Sequence, residues 1–522
     1  MAEISETSEF LTPLKGQELV FGLVGPIGAD LKLVAEVLSQ ELANVRYVAK
    51  RIKITDCFES FEHDFRLVRR PLEAYYKSYI DAGNELRKIT QRQDILALMS
   101  IAAIRRARSE ITGDRKVPAS RTAYILHQFK RPEEISALRR VYGPCFVQIS
   151  AHCPRRLREL SLTDKISESY SHERRGDYYQ AKAVELIVRD DAEEEITCGQ
   201  RVRETFPLAD VVINASSPET VRQTCRRFIE AFFGNSFITP TLDEYGVYLA
   251  RSAALRSADL SRQVGVVIAN EGGDVVAASC NEVPKAFGGA YWPEDTFDLR
   301  DFKLGYDPST KVKRQILSDV FRRLKDGGWL SDGHCNKDVS ALVEESLDGK
   351  SGLMHDSSIM DILEFGRVVH AEMHALSTAA RNGIPVKGAT LFTTTFPCHI
   401  CARHIVAAGI KRVVYVEPYA KSLAGELYPD SIEIEGDSRV AGPKVSFEQF
   451  KGIGSQRFYS IFQKRQRKDR RGNVIAWSAP SAEAIPELLV AAYVNIESAV
   501  LKSLSEHLAQ VNLKLRTPDL AA

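Results

Sequence analysis

Two short stretches of the chain carry residue types that can bind a metal and activate water. The first is His370-Ala371-Glu372 and the second is Pro397-Cys398-His399-Ile400-Cys401, with twenty-four residues between them. One imidazole and two thiolates suit Zn²⁺, and three protein ligands leave a fourth tetrahedral position open for water. Zinc lowers the pKa of such a water to about 7. The pattern therefore predicts a catalytic zinc held by His370, Cys398 and Cys401.

The elements between these stretches must bring them together. The hydrophobic pattern predicts a helix over residues 366–382 that carries His370 and Glu372, a strand over 390–394, and a helix that Cys398 opens. The free N–H groups and partial positive charge at a helix start favour thiolate. Glu372 lies roughly 200° round such a helix from His370. We therefore expect it to reach the metal only if the helix meets the site with its end.

The His-x-Glu and Pro-Cys-x-x-Cys pair is the signature of zinc nucleobase deaminases. In that resemblance Glu372 takes a proton from the zinc-bound water and passes it to the base. A structural zinc completed by a fourth ligand stays open as an alternative, as does a site without metal. The candidate fourth ligands are His374, His399, Cys280 and the pair His334-Cys335, which could also hold a separate zinc.

Composition restricts the class of protein. The 522 residues are 44% hydrophobic and 27% charged, which predicts two or three ordinary globular domains. The net charge of +1 gives no bulk attraction to nucleic acid. Nine scattered cysteines indicate reduced thiols in a cytoplasm. We see neither a signal peptide in the polar, acidic N-terminal segment nor an apolar run that could cross a membrane.

The first half begins like a phosphate-binding loop. An apolar run at 19–24, the turn Gly25-Pro26-Ile27-Gly28-Ala29-Asp30 and a helical pattern at 31–42 give strand, loop and helix. The complete phosphate-binding motif ends in Gly-Lys-Ser or Gly-Lys-Thr, and here Gly28 is followed by Ala29 and Asp30 instead. Gly25, Gly28 and Asp30 are therefore weak nucleotide-binding candidates, and the alternative is a packed glycine turn without a ligand.

Strands and helices alternate through this half. Strands are predicted at 46–49, 123–126, 145–149 and 210–214, with helices at 79–106 and 218–233. Such alternation predicts a doubly wound parallel sheet. Together with the glycine loop, this layout resembles the P-loop nucleotide kinase fold over residues 16–235, in a degenerate form. The resemblance implies a regulatory nucleotide as partner, whereas the missing Lys argues against an active kinase.

The second half has its own order of elements. A helix at 242–254 precedes a hairpin of strands at 263–269 and 274–279. A charged insertion at about 293–364 comes before the metal helices, and another strand is predicted at 412–416. We expect a flexible N-terminus at 1–15 and a domain at 236–465. A basic segment with a C-terminal helix at 484–508 should fill residues 466–522.

Residues 242–460 resemble the deoxycytidylate deaminase branch of the cytidine deaminase-like superfamily, an α/β/α sandwich. The zinc motif and Asn281-Glu282-Val283-Pro284 carry the likeness. It implies that Asn281 binds the sugar hydroxyl of a free nucleotide and that the Ala371 N–H binds O2 of the base. Pro397 and Thr393-Thr394-Thr395 would form the wall. The alternative for Asn281 is an Asx turn before Pro284.

The fusion of both halves resembles bacterial anti-phage dCTP/dCMP deaminases. Further matches are the stretches 288–292, 367–369 and Glu417-Pro418-Tyr419-Ala420-Lys421-Ser422. The likeness implies hydrolysis of dCTP or dCMP to the deoxyuridine nucleotide and ammonia, which depletes the dCTP pool. It also implies a homo-oligomer. Lys285, Lys421 and Ser422 are candidate phosphate contacts, and the alternative for each is a solvated surface residue.

Two other functions stay open. A polynucleotide deaminase is favoured by residues 464–471, of which six are basic, although we find no groove of basic and aromatic residues that would track a strand. A nucleotide-sensing protein with a structural zinc is the non-enzyme alternative. No residue distinguishes dCTP from dCMP.

Overall fold

The structure is a computed structural model that describes residues 14–170, 176–193, 196–348, 352–355, 357–419, 421–436, 441–463, 466–486 and 488–516. Within these residues, two six-stranded sheets form the centres of two α/β units. The α/β class expected from the sequence is confirmed. None of the described helices combines the length and the apolar character that a membrane span requires.

The strands and helices follow the predicted alternation. The strands are β1 (Leu19–Val24), β2 (Val48–Lys53), β3 (Thr122–Phe129), β4 (Phe146–His152), β5 (Val211–Asn214), β6 (Gly265–Ala269), β7 (Val275–Cys280), β8 (Thr390–Thr395), β9 (Arg412–Glu417), β10 (Ile432–Ile434), β11 (Val445–Gln449) and β12 (Gly452–Ile453). The helices are α1 (Leu31–Asn44), α2 (Leu72–Thr90), α3 (Ile95–Thr112), α4 (Pro132–Tyr142), α5 (Arg155–Ser169), α6 (Gly176–Ala192), α7 (Val202–Thr205), α8 (Pro218–Phe232), α9 (Leu242–Ala254), α10 (Asp301–Leu304), α11 (Pro308–Asp326), α12 (Asp332–Cys335), α13 (Val339–Leu347), α14 (Ala371–Arg381), α15 (His399–Ala407), α16 (Ala424–Leu427), α17 (Ser455–Phe462) and α18 (Tyr493–Gln510).

The first sheet has the order β12-β5-β4-β1-β3-β2. Strands β1 to β5 are parallel, and β12 is antiparallel to β5. Every residue of β1 and β4 is buried, as expected for central strands of a parallel sheet with helices on both faces. Helices α1 and α8 cover one face, and α3 and α18 cover the other.

The second sheet has the order β10-β11-β9-β8-β6-β7. The hairpin β6–β7 is antiparallel, β6 is antiparallel to β8, and the remaining strands are parallel. Helices α14 and α15 pack on one face and α9 packs on the other. This is the three-layer arrangement expected for the second half.

The two units share apolar contacts and side-chain hydrogen bonds. Phe206 and Val212 of the first unit lie in one cluster with Val247 of α9 and Phe392 of β8. Glu244 is almost fully buried, and it accepts hydrogen bonds from Arg227 of α8 and from the backbone N–H of Ile453 in β12. The start of the second unit is therefore joined to the first unit.

The end of the chain returns to the first unit. Strand β12 lengthens the first sheet, and α18 packs on α3. Arg108 of α3 bonds Glu497 of α18 at 2.6 and 2.8 Å and also bonds Glu18, and all three side chains are buried. The expected domain boundaries remain predictions, but residues 452–453 and 493–510 contribute to the first unit.

Several predicted elements have different bounds. The helix expected at 79–106 is two helices, because Gln91 adopts a left-handed conformation with φ +51°. The C-terminal helix begins at Tyr493 rather than 484. The strand expected at 46–49 begins at Val48 because Arg46 has φ +61°. Residues 1–13 of the expected flexible N-terminus and residues 464–465 of the basic run lie outside the described residues.

Candidate metal centre

Three side chains converge between the second sheet and its helices. One ligand atom each of His370, Cys398 and Cys401 lies within 4.8 Å of the others. His370 Nδ1 is 3.4 Å from both Sγ atoms. A tetrahedral zinc, with Zn–N near 2.0 Å and Zn–S near 2.3 Å, sets nitrogen and sulfur about 3.5 Å apart. The donor set and its spacing therefore fit zinc.

Two helix starts position these ligands. His370 precedes α14 with φ −60° and ψ 148°, and Cys398 precedes α15 with φ −65° and ψ 164°. The Cys401 N–H lies 3.5 Å from Cys398 Sγ. The partial positive charge at both helix starts favours thiolate.

The expectation that His370 lies inside a helix over 366–382 is wrong. The helix begins at Ala371, immediately after His370, because His370 has an extended backbone. The angle of roughly 200° between residues two apart on a helix therefore does not apply to His370 and Glu372. Glu372 lies in the first turn of α14, and the end of the helix faces the metal ligands.

Glu372 lies next to the ligand cluster. Its side chain is 5% exposed, and the Cys401 thiol lies against its carboxyl group. Burial raises the pKa of Glu372, and the negative charge of the Cys398 thiolate adds to this. A carboxyl group with a raised pKa takes and returns a proton readily near neutral pH.

A hydrogen bond joins the thiol groups of Cys398 and Cys401. The pKa of Cys398 is lowered to about 4, because the Cys401 thiol and then the His370 ring hydrogen-bond to its sulfur. The pKa of Cys401 is raised because its thiol is the donor of that bond. Cys398 is thus prepared as an anionic ligand.

The proposed fourth ligands lie outside the cluster. His374, His399, Cys280 and His334 with Cys335 do not join the three ligands in the described structure. His374 Nδ1 is instead 3.0 Å from the carbonyl oxygen of Cys280, and burial lowers its pKa. This contact holds α14 against the end of β7, which is a structural role.

Asn281 supports the start of β6. Its Oδ1 accepts from the Val264 N–H at 2.8 Å, and its Nδ2 donates to the carbonyl of Arg262 at 2.9 Å. Both hydrogen-bond partners lie on the other side of the hairpin. The Asn281 amide therefore does not form the Asx turn before Pro284 that was the alternative interpretation. One N–H and one lone pair of the amide remain for a ligand, and sugar binding stays a prediction.

Ala371 is fully buried and is the first residue of α14. Its N–H belongs to the first turn, where no acceptor exists inside the helix. That N–H therefore remains a donor beside the metal ligands, as base recognition would require. The contact with O2 of a base stays a prediction.

The three candidate phosphate contacts have partners within the protein. Lys285 Nζ lies 2.8 and 3.0 Å from the two carboxylate oxygens of Asp295. Lys421 Nζ lies 2.6 Å from Asp361. Ser422 Oγ donates to the carbonyl of Pro397 at 2.8 Å. Both lysine charges are therefore compensated, and phosphate binding by these residues stays a prediction that needs these bonds to break.

The glycine loop of the first unit contacts a carboxylate. Asp30 caps α1 by accepting from the Leu33 N–H at 3.0 Å. The Ile27 N–H donates to Asp190 at 2.8 Å, and Asp190 pairs with Lys130 at 3.0 Å. Asp190 thus accepts a hydrogen bond from a backbone N–H that would donate to a phosphate in the P-loop kinase fold that this unit resembles. Gly28 has φ +88°, and a Cβ there would lie 2.9 Å from Cβ of Arg158.

Nucleotide binding by Gly25, Gly28 and Asp30 stays a prediction. Asp190 itself had no sequence signal, since it lies 163 residues from Ile27.

Tyr419 and Arg262 of the second unit also had no role assigned from the sequence. The Arg262 guanidinium lies 5.5 Å from the centre of the Tyr419 ring. The pKa of Tyr419 is raised by burial, with a contribution from the Cys398 thiolate, so the ring lies near the metal ligands.

Known proteins match the second unit. The family described as "Cytidine and deoxycytidylate deaminase zinc-binding region" matches residues 240–417. The probable deoxycytidylate deaminase of Drosophila melanogaster is 45% identical over 159 residues, which are 29% of this chain and 74% of that protein. The deoxycytidylate deaminase of phage T2 is 40% identical over 80 residues, 15% of this chain and 42% of the relative.

The chain spans less than half the length of the phage relatives T2 and T4 that it matches. The solved structure of dCMP deaminase from cyanophage S-TIM5 in apo form covers 41% of this chain and 99% of its own length. Its identity is 16% and its TM-score is 0.22.

Proposed function

Because the chain belongs to the cytidine and deoxycytidylate deaminase family, we propose that it removes the C4 amino group of free deoxycytidine nucleotides, dCMP or dCTP. The observation that supports this most directly is the cluster of His370, Cys398 and Cys401 beside the buried Glu372. The alternative of a sensor with a structural zinc is less favoured, because the described residues supply three ligands and no fourth.

His370, Cys398 and Cys401 would hold the zinc. Bound there, Zn²⁺ would supply the Lewis acidity that makes water a nucleophile at neutral pH. The lowered pKa of Cys398 and the two helix starts suit a dication, because each stabilises a thiolate ligand.

Glu372 would move the protons. In the hydrolysis a C4–O bond forms and the C4–N bond breaks, and water gives up both its protons, one to N3 of the base and one to the amine, which departs as ammonia. The carboxylate of Glu372 would accept the first proton from water and give it to N3, and would then accept the second from the hydroxyl on C4 and give it to the amine. Its burial and raised pKa suit both directions of transfer.

Two further groups would orient the nucleotide. The Ala371 N–H at the start of α14 would donate to O2 of cytosine, and the free half of the Asn281 amide would bind the sugar hydroxyl. Thr393 to Thr395 would form the wall, where Thr393 Oγ1 donates to the carbonyl of Thr395 at 2.9 Å. Such fixed positions reduce the entropy lost in reaching the transition state.

We propose a regulatory role for the first unit within a cytoplasmic defence enzyme that depletes dCTP. Its strand order β2-β3-β1-β4-β5 and the glycine loop after β1 support the resemblance to P-loop nucleotide kinases. Ala29 in place of Lys, and Asp190 on the loop N–H, argue against phosphoryl transfer. We also propose a homo-oligomer.

Product analysis tests the proposal. Zinc-loaded protein is incubated separately with dCMP, dCTP, CMP, CTP and a cytosine-containing single-stranded DNA, and the products are separated by liquid chromatography. We expect a deoxyuridine nucleotide and ammonia from dCMP or dCTP. Uracil formed only in the DNA would overturn the proposal and favour a polynucleotide deaminase. No product from any substrate would favour the sensor alternative.

A further inference from the structure

The residues in front of the metal ligand His370 join the second sheet through Glu282. Residues 367–370 precede α14, and Val369 forms an antiparallel bridge with Glu282. The Val369 N–H donates to the Glu282 carbonyl at 3.1 Å, and the Glu282 N–H donates to the Val369 carbonyl at 3.3 Å. Because β7 ends at Cys280, this pair continues the edge of the sheet. The position of His370 therefore depends on the position of Glu282.

The side chain of Glu282 holds this bridge against the loop that follows α9. Only 1% of the residue is exposed. Its Oε2 accepts from the Ala258 N–H at 3.0 Å, and its Oε1 accepts from the Val283 N–H at 2.9 Å. Ala258 lies in the loop after α9, which ends at Ala254. Glu282 thus joins this loop, the end of β7 and the segment before His370.

A carboxylate suits this place better than another group of its size. Its two oxygens accept the two N–H groups, whereas an amide has one oxygen and would turn its NH₂ group towards one of the donors. A buried carboxylate is costly unless donors or a cation compensate it. Arg300, which is almost fully buried, has Nη1 3.9 Å from Oε2 of Glu282. Since an apolar side chain would fill the volume without this cost, packing alone does not explain Glu282.

The start of α10 holds the same segment from a second side. Arg367 donates to the Asp301 carboxylate at 2.7 Å and to the Leu299 carbonyl at 3.1 Å. Asp301 is buried and directly follows Arg300 in the chain. The segment before His370 is therefore held through its backbone by Glu282 and through the Arg367 side chain by the start of α10.

Metal affinity depends on how well the ligand atoms are placed before the metal binds. Nδ1 of His370 lies 3.4 Å from both Sγ atoms. The start of α15 places Cys398 and Cys401, whereas the segment held by Glu282 places His370. A change at Glu282 should therefore displace one of the three ligands and leave the other two where they are.

We propose that Glu282 is a positioning residue for the metal ligand His370. Its carboxylate fixes the extended segment that carries the imidazole, and it bonds none of the three ligands in the described structure. The inference rests on the proposed function only for an effect on the rate of deamination, because zinc binding itself needs no catalysis.

The zinc affinity of Glu282→Gln tests this role. Competition with a chromophoric chelator measures the zinc dissociation constant of the purified full chain, without substrate. Glutamine keeps the shape of the side chain but loses one acceptor and the charge. We expect zinc to bind about 10–100-fold more weakly, the usual effect of losing a group that orients a metal ligand. An unchanged dissociation constant would overturn the inference.

Glu244→Gln is the matched control. Glu244 is as buried as Glu282 and also accepts from two backbone N–H groups, those of Thr241 and Ile453, both at 2.8 Å. It lies on α9, on the opposite face of the sheet from α14. We expect this variant to lose stability in urea but to bind zinc as wild type does. Equal weakening of zinc binding in both variants would show a merely structural role for Glu282.

The visible spectrum of the Co²⁺-substituted protein reports the geometry of the ligands directly. We expect the ligand-field bands to change in Glu282→Gln and to stay as in wild type in Glu244→Gln. A wild-type spectrum in Glu282→Gln would overturn the inference. If Glu282→Gln yields no folded protein, Arg300→Met replaces it, because this change removes the cation beside the carboxylate. Arg300→Met should also weaken zinc binding, and unchanged binding would count against the role of Glu282.

A deamination assay on the same preparations separates this inference from the proposed function. Zinc affinity that depends on Glu282, in a protein that deaminates no nucleotide, would contradict the proposed function and leave the positioning role intact. Normal zinc binding and normal deamination in Glu282→Gln would overturn the positioning role and leave the proposed function intact.

Discussion

At the scale of single residues, a change at Glu372 can separate the proposed catalytic step from metal binding. Its carboxyl group lies beside the ligands but is not one of them. We expect Glu372→Ala to keep its zinc and to lose deamination by about 10²–10⁴-fold, the usual contribution of general acid–base catalysis. Ammonia release and zinc content are measured on the same preparation. Unchanged turnover in the zinc-loaded variant would contradict the mechanism.

The metal ligands should behave in the opposite way. Each zinc ligand removed leaves only two side chains, so Cys398→Ala and His370→Ala should bind far less than one zinc per chain. Cys335→Ala is the matched control, because Cys335 lies outside the cluster. Zinc is quantified by mass spectrometry after dialysis. A full zinc content in Cys398→Ala would show that the cluster is not the metal site.

At the scale of elements, Asn281 fixes the loop that enters β6. Asn281→Ala would leave the Val264 N–H and the Arg262 carbonyl without their partners. We expect the free energy of unfolding to fall by about 1–3 kcal/mol, because two part-buried hydrogen bonds worth about 0.5–1.5 kcal/mol each are lost. Urea unfolding followed by circular dichroism measures this. If only KM rises and stability is unchanged, the amide acts on the ligand alone.

Helix α14 should make stability depend on pH through His374. Its pKa is lowered in the folded state, so the unfolded chain binds a proton more readily. This contribution is complete above the ordinary histidine pKa of about 6.5 and is lost as the pH falls through the folded pKa. Unfolding free energies measured between pH 7.5 and 5.5 should fall less steeply in His374→Asn than in wild type. Equal slopes would contradict the assignment.

At the scale of the whole molecule, the end of the chain holds the first unit together. Glu497 of α18 bonds the buried Arg108 together with Glu18. Glu497→Ala should reduce the free energy of unfolding by about 1.5–3 kcal/mol, because Arg108 loses its buried charged hydrogen bonds to Glu497 but keeps those to Glu18. Lys502→Ala, an exposed change on the same helix, is the control. Equal unfolding midpoints for the two variants would show that the ion pair contributes little.

Much of the metal centre followed from local sequence. The spacing of His370, Glu372, Cys398 and Cys401 limits how the helix starts can meet, and hydrophobic periodicity located strands such as β8 and β9. The bounds of α14 were missed because a helix start depends on the backbone angles at one residue, and the apolar residues Val368 and Val369 extend the hydrophobic pattern before it.

What the sequence determined by itself depends on residues that are close along the chain: the candidate ligand set, the missing Lys of the glycine loop and the alternation of elements. Only the tertiary structure decided the long-range partners, which are Asp295 for Lys285, Asp361 for Lys421 and Asp190 for the Ile27 N–H. It also decided that β12 and α18 return to the first unit. The reason is physical: an ion pair or a strand edge depends on distance in space, and the folded chain brings together residues that no local pattern relates.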